Sequence, residues 1–480
     1  MEFDSVLEDK LPRASIFKVG GSANSTVQKR EWIEYLANKG DLLVRDHTSK
    51  VQFLVSGECL VDGLSSFFSL RLATNTFTSA LSGDITSIIK KVVIKLPSNS
   101  NQVLEEIDNY NTLSSMVSTL TMDNDTLSSK WYAGSNCLVE NKKSQGLAKS
   151  RRFLNLNKGG FRTFTFQLHL CNILSLEQYL PLFLMNGILI ELHLASPQEA
   201  FHYVRDNEEW RYLFDRVEGL GFTQDEYDGL TEGQRGRVER NLIEFYNRRE
   251  PASQSLTYEI RDFKYNACAV WMSETYVNKL TEKAQSESGL NLFYDTYRFN
   301  QINSDGNLFM NVTLSEQFQN LKKVLFGTLD RSKLQSQNEH SFNIFPSGIQ
   351  RYKFRIGSRS WEQIVNEHEE DALSFTRSLL SLGQYGKRKS NSITFTTWSR
   401  NKNIHVFDFQ KVAENVHSGQ DTTDGLNLKF ELQWKAQEEV SLLDDVLLQQ
   451  AINPTDGVIY MYLKATHLIN ISSRGIGVSS

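Results

Sequence analysis

The densest group of ionisable side chains in this chain is His368-Glu369-Glu370-Asp371. A metal or acid–base centre needs ligands that converge from different elements. Adjacent helical residues point apart, so this stretch predicts a solvated helix face. Glu105-Glu106 receives the same reading, near an expected helix N-terminus where negative charge is favoured. His169 and His193 fall on the polar faces of two strand-like runs and can approach each other, but the sequence offers no third ligand. Ser418-Gly419 lacks the G-x-S-x-G context of a nucleophile elbow, and His417 has no neighbour to orient it. The pairs Gly20-Gly21 and Gly159-Gly160 lack the Gly-Lys-Ser/Thr ending of a phosphate loop. The residues therefore predict no catalytic, cofactor-binding or metal site. The chain reads as a non-enzyme without a cofactor.

One patch does suggest a contact. Lys142, Lys143, Lys149, Arg151, Arg152, Lys158 and Arg162 occur with no acidic residue between Asn141 and Leu176. Such a run can meet packaged DNA, an acidic partner protein or an acidic loop, and phosphate contacts would be sequence-blind and salt-sensitive. The plainer reading is an exposed loop kept soluble by its charge.

The elements that would position these residues are mostly strands. Phe164, Phe166, Leu168 and Leu170 alternate with Thr163, Thr165, Gln167 and His169. After Leu180-Pro181-Leu182, the residues Ile188, Ile190, Leu192 and Leu194 alternate with Leu189, Glu191 and His193. A period of two sends one set inward and the other outward. Further strands are predicted at Val51 to Val55, Ser66 to Ala73 and Ile85 to Leu96. Later candidates are Leu256 to Ile260, Leu308 to Leu314, Tyr352 to Ile356, Ile393 and Phe395, Leu428 to Trp434, and Val458 to Leu468. Helices are predicted near Gln28 to Asn38, over Leu104 to Leu120, where apolar residues recur every three or four positions, and over Trp361 to Leu382. These helices lack the Lys/Arg-rich face of membrane-surface anchors. From Gln198 to about Glu250 the chain is charged and helical in pattern, and Pro251 ends it.

With 480 residues, more than one core is expected. An aromatic share of 11% suits pleated, β-rich cores. The net charge of −5 argues against a whole-protein basic footprint. Cys59, Cys137, Cys171 and Cys268 are scattered without CxxC spacing, which predicts free thiols and a reducing compartment. The acidic first ten residues and the lack of a long apolar run predict a soluble protein with no membrane span.

Taken in order, these runs resemble the double jelly-roll major capsid proteins of polinton-like viruses, adintoviruses and virophages, a lineage related in fold to adenovirus hexon. Five passages carry the resemblance. Ile94 to Leu113 is similar to a strand and helix of the first barrel. Tyr179-Leu180-Pro181-Leu182 through Gly187 to Leu194 is similar to the strand that closes it. Leu256 to Ile260 with Asp262-Phe263 resembles the opening of the second barrel. Phe407-Asp408-Phe409 with Ser418-Gly419-Gln420-Asp421-Thr422-Thr423 resembles a loop before the penultimate strand, and Ile469 to Val478 a terminal strand and tail. The charged insert matches no pattern of the family.

The expected fold is mainly β: two tandem jelly-roll β-sandwiches with short internal helices and a helical insert between them. The expected division is an N-terminal arm over 1–40, a first jelly roll over 41–197, a helical connector over 198–251 and a second jelly roll over 252–480. The resemblance implies homotrimeric, pseudo-hexagonal capsomers that tile the icosahedral shell of a DNA virus. It also implies penton and minor cement proteins as partners, possible non-specific contact with packaged DNA, and a place in the virion after synthesis in the infected cell. Two other readings fit a β-rich chain. A carbohydrate-binding or receptor-binding β-sandwich would cluster aromatics on exposed loops, and a β-sandwich glycoside hydrolase would bring two carboxylates to one cleft.

Overall fold

The computed structural model describes residues 27–39, 42–44, 49–75, 79–82, 84–97, 102–121, 161–176, 178–203, 231, 256–304, 306–331, 349–364, 370–382, 398, 403–410, 419–423, 426–434 and 457–479. The first twelve strands are β1 (Val27–Leu36), β2 (Leu42–Val44), β3 (Lys50–Val55), β4 (Leu60–Thr74), β5 (Ser79–Leu81), β6 (Ile89–Lys95), β7 (Val103–Asp108), β8 (Arg162–Phe166), β9 (Leu180–Pro181), β10 (Ile188–Leu194), β11 (Phe201–Tyr203) and β12 (Tyr258–Met272). The remaining nine are β13 (Leu290–Asn303), β14 (Phe309–Thr313), β15 (Leu321–Asp330), β16 (Ile349–Ile356), β17 (Arg359–Ile364), β18 (His405–Asp408), β19 (Leu428–Trp434), β20 (Gly457–Ser472) and β21 (Gly475–Ser479).

These strands build two sandwiches. In the first, sheet I has the order β1-β12-β4-β8, with β2 on β12 and β9 on β4, and sheet II has the order β3-β10-β6-β7. In the second, sheet III runs β13-β20-β15-β18 with β21 on β20, and sheet IV runs β14-β19-β16-β17. Every pairing among the described strands is antiparallel; β6-β7, β16-β17 and β20-β21 are neighbours in sequence, while most of the others join strands far apart in the chain, so the sheets close by long crossovers as well as by hairpins. Aromatic side chains interlock between the layers. Phe53 of β3 meets Phe68 of β4 edge-on at 5.6 Å, and Phe326 of β15 meets Tyr352 and Phe430 of sheet IV at 5.0 and 5.2 Å.

Sheet III is apolar on both faces. On β20, Ile459, Met461 and Leu463 face the second core with Phe326, Phe354 and Phe430. Val458, Tyr460 and Tyr462 alternate with them and join a single cluster that also holds Phe53, Phe68, Ile94 and Ile190 of the first sandwich. A strand buried on both faces reads as a continuous apolar run, which is how Val458 to Leu463 looks in the sequence. The two sandwiches are thereby welded through one core.

Several expectations are corrected by this topology. Gln28 to Asn38 is not helical, and the supposed arm contains β1, paired along β12 from Val27↔Met272 to Leu36↔Lys264. Its Ile33 and Tyr35 turn inward while Trp32, Glu34 and Leu36 turn outward. Leu256 to Ile260, expected to open the second sandwich, leads into β12 (Tyr258–Met272), which lies between β1 and β4 of the first. The expected helix Leu104 to Leu120 is β7 followed by a helix over Tyr110–Thr121, the turn between them made at Asn109 with φ 49°. The expected helix Trp361 to Leu382 likewise divides into β17, which hairpins onto β16, and a helix over Glu370–Ser381. Gly357, at φ 58°, sits at the hairpin bend, where an L side chain would be strained. Ile85 to Leu96 is a strand only from Ile89, after a short turn of 3-10 helix. Of the insert, the described residues show a short helix over Pro197–Ala200 and then β11, which pairs with β5. Apart from Thr231, the rest of that insert, and the predicted strand at Ile393 and Phe395, lie outside the described residues.

Candidate assembly surfaces and the seam between the sandwiches

The outer face of sheet II is built from charge. Glu191 on β10 is almost wholly covered, yet it faces outward, beneath Lys50 at 2.6 Å, Lys95 at 2.8 Å and the Gln52 amide at 2.7 Å. Burial pushes its carboxyl up, but the two lysines and Gln52 outweigh that and hold it at about 2. One strand along, Lys91 pairs with Glu106 and with Asp108. His193 stands between Lys50 and Lys91 in the ladder, and its imidazole is lowered by burial and by those cations. The outer face of sheet IV repeats the design. Arg351 meets Glu362 at 3.3 Å and Gln433 at 2.7 Å, Lys353 meets Glu362 at 3.9 Å, and Arg355 meets Glu431 at 3.7 Å. Both outer walls are therefore largely ion-paired, although Leu54 of β3 and Phe309 of β14 are also exposed on them.

Sheet I carries more exposed apolar side chains than either. Trp32 is 58% exposed, Leu36 69% and Leu64 54%. The Trp32 indole donates to the Ser65 carbonyl at 3.1 Å, which fixes the ring over the sheet. On the same sheet Arg30 meets Asp62 at 2.6 Å and donates to the Cys268 thiol at 3.1 Å. Exposed apolar side chains beside covered charges are the texture of a surface that meets protein.

The seam between the sandwiches is polar at its margin. Tyr462 donates to the Asn109 carbonyl at 2.9 Å, Tyr294 donates to the Leu104 carbonyl, and the Asn172 amide donates to the Asp295 carbonyl. Asp295 is held by Lys322 at 2.7 Å and Lys464 at 3.1 Å. Behind the margin lies Glu105, 1% exposed. Strand β7 pairs it with Ile94 and turns it inward with Ile107. Its carboxylate accepts from the Asn172 N–H at 3.1 Å, the Ile173 N–H at 2.9 Å and the Cys171 thiol at 3.1 Å. Burial pushes it up to about 7 against the pull of these donors.

The predicted site residues fall as follows. Of the basic patch only Arg162 is described; it opens β8, its guanidinium 5.3 Å from the Phe164 ring. Lys142, Lys143, Lys149, Arg151, Arg152 and Lys158 lie outside the described residues, as do His368, Glu369, His417, Ser418 and the two glycine pairs. His193 is on sheet II and His169 is in the turn after β8, so the structure does not bring them together as neighbours in a sheet. Among the described residues no three His, Cys, Asp or Glu side chains form a group able to hold a metal. Glu106 is an ion-paired surface residue, but Glu105 is a core residue, contrary to the solvated reading of the pair. Cys171, a free thiol as expected, is one of its donors. Cys59, Cys171 and Cys268 are free and buried. No helix among the described residues is long and apolar enough to cross a membrane.

No protein-family profile matches the sequence, and no curated protein matches it either. Solved structures do match. The Faustovirus major capsid protein superposes with a TM-score of 0.54 at 7% identity, covering 96% of this chain and 93% of that one. PBCV-1 VP54, in a crystal structure fitted into a reconstruction of the virophage Sputnik, gives 0.50 at 10% identity over 96% of this chain and 99% of that one. The fold is the double jelly roll of viral major capsid proteins. Both jelly rolls, not one, are matched, since the shared span takes in nearly the whole of each chain.

Proposed function

We propose that this chain is a major capsid protein. Three copies associate into a pseudo-hexagonal capsomer, and capsomers tile the icosahedral shell of a DNA virus. The observation that carries this reading is the weld: sheet III, apolar on both faces, locks two upright sandwiches into one block. Three such blocks present six barrels around a threefold axis, a near-hexagonal tile from closed symmetry. The largely ion-paired outer walls of sheets II and IV suit faces that stay mostly hydrated, and the larger set of exposed apolar side chains on sheet I suits a face that another copy covers. We place the boundary between the two jelly rolls at the helix Glu274–Gln285, after β12.

The remaining partners follow from this role. A penton protein and minor cement proteins complete the shell, and the basic run from Lys142 to Arg162 contacts packaged DNA without sequence preference. The chain works in the virion after synthesis in the infected cell, as a structural component and not as an enzyme. Size-exclusion chromatography with light scattering tests the reading. A stable species near three times 55.0 kDa is expected. A chain that stays monomeric at the concentrations of an assembling virion refutes it.

A further inference from the structure

The turn Leu168–Ser175 hangs on Glu105 and carries Asn172 across to the second jelly roll. It is a compact loop: Cys171 N–H donates to the Leu168 carbonyl at 2.9 Å and Leu174 N–H to the Cys171 carbonyl at 3.1 Å. Ser175 donates to the Cys171 carbonyl at 3.0 Å. Its backbone lies over Gly63 of β4, where a side chain would collide with the Leu174 carbonyl. Three donors from this one turn converge on the carboxylate of β7, and the next contact outward is Asn172 on Asp295 of β13. One buried carboxylate therefore ties together β7, the turn and, through it, the other sandwich.

Among the described residues, the groups facing Glu105 bring no compensating positive charge. From β13 the Thr296 hydroxyl faces it. From the turn comes the Cys171 thiol, from the helix Tyr110–Thr121 the Tyr110 phenol, and from β13 also the Tyr294 phenol. Burial pushes all three up, so all three are neutral near pH 7. Beyond Tyr294 stand His467, 5.8 Å away between ring centres, and Arg298, while Asp84 lies beyond Tyr110. On β7 itself Glu106 and Asp108 are turned to the opposite face and taken up by Lys91. The cations of the seam, Lys322 and Lys464, are bound to Asp295. A carboxylate without a cation partner in a low-dielectric site binds a proton more readily than it does in water.

We propose that the seam between the two jelly rolls is a proton-linked latch: the turn Leu168–Ser175 closes over a protonated Glu105 and opens as that carboxyl ionises. The sign follows from linkage. The closed state holds Glu105 near 7 and the opened, hydrated state near its ordinary 4.5, so closure takes up a proton. Opening is suppressed in mild acid and released as pH rises. A particle made of such chains has its two-barrel blocks most rigid in acid and loosened at neutral pH and above.

Amide exchange of the whole chain, read by mass spectrometry and corrected for the base-catalysed intrinsic rate, tests the latch. With the two values above, the opening constant of the peptide covering Leu168–Ser175 rises about tenfold from pH 6 to pH 8 and levels off above that. The Glu105→Gln variant gives a flat profile. Should that variant fail to fold, the wild-type chain decides alone, with the β20 peptide Ile459–Leu463 as its internal standard. A rise confined to the turn supports the latch. A flat profile in the turn, or an equal rise in β20, overturns it.

Discussion

Replacing Glu191 with Gln isolates one charge and gives a pH signature that can be worked out in advance. In the folded chain its carboxyl lies at about 2, drawn down by Lys50, Lys95 and Gln52 after burial has pushed it the other way. In the unfolded chain it returns to about 4.5. A depressed carboxyl contributes stability that is present above the unfolded value and lost as pH falls toward the folded one. Between pH 7 and pH 3 the loss from this single group is about 2 kcal/mol, at 1.36 kcal/mol per unit of pKa. Lys50 is 41% exposed, so water screens part of the attraction and about 1 kcal/mol is the safer expectation. The assay is urea unfolding of wild type and Glu191→Gln at both pH values, with the difference between the two proteins as the observable. The wild type should be the more stable at pH 7, and its advantage should shrink by about 1–2 kcal/mol at pH 3. An advantage that does not change with pH, or that grows in acid, refutes the account of this site.

Two further outcomes are expected from packing. Phe326→Ala opens a void among Tyr352, Phe354, His405 and Phe430 and should cost about 3–5 kcal/mol, seen as a lowered midpoint in denaturant. His405, buried there and pushed down to about 3, takes a proton less readily folded than unfolded, which costs the wild type stability in acid; as water enters the void its value rises toward the ordinary one, so the variant's deficit relative to wild type should shrink in acid. Gly63→Ala places a Cβ 2.5 Å from the Leu174 carbonyl oxygen, which belongs to backbone and cannot swing away. It should cost about 1–3 kcal/mol and speed amide exchange in the turn Leu168–Ser175 ahead of the rest of the sheet.

What the sequence disclosed was periodicity, and what it concealed was partnership. Ile188 to Leu194 and Leu428 to Trp434 alternate cleanly because each has one apolar face and one charged face, and both are strands as expected. Val27–Leu36 defeated the same rule, since Trp32 and Leu36 put apolar groups on the outer face as well, and the mixed pattern resembled a helix. Leu104, Ile107 and Tyr110 are spaced for a helix by accident. Leu104 is covered from outside by Tyr294 of the other sandwich, so β7 shows buried residues on both faces before it runs into the helix. Nothing in Tyr258–Met272 itself says that it pairs with β1 and β4, residues about 200 or more positions earlier. Pairing is settled by which edge remains open once the other strands are placed.

Glu105 was hidden for a related reason. A Glu-Glu pair beside a helical pattern is normally a solvated one, and the residues that receive Glu105, Cys171 to Ile173, lie across a stretch of chain with no pattern linking the two. The signal available was weak: in a strand register set by Ile107, position 105 must point inward. Glu191 obeys the opposite logic, facing outward yet covered, and the two carboxyls pull in opposite directions. Glu191 adds stability as pH climbs from about 2 to 4.5, and Glu105 removes it as pH climbs from 4.5 to about 7. For these two groups together the stability maximum lies near pH 4.5, below neutrality. Their contribution is separable, because Glu191 reports on sheet II of the first jelly roll alone while Glu105 reports on the seam. A chain with this arrangement should hold its two jelly rolls together most firmly in mildly acidic surroundings, and the Glu105→Gln chain should lose that preference while the Glu191→Gln chain keeps it.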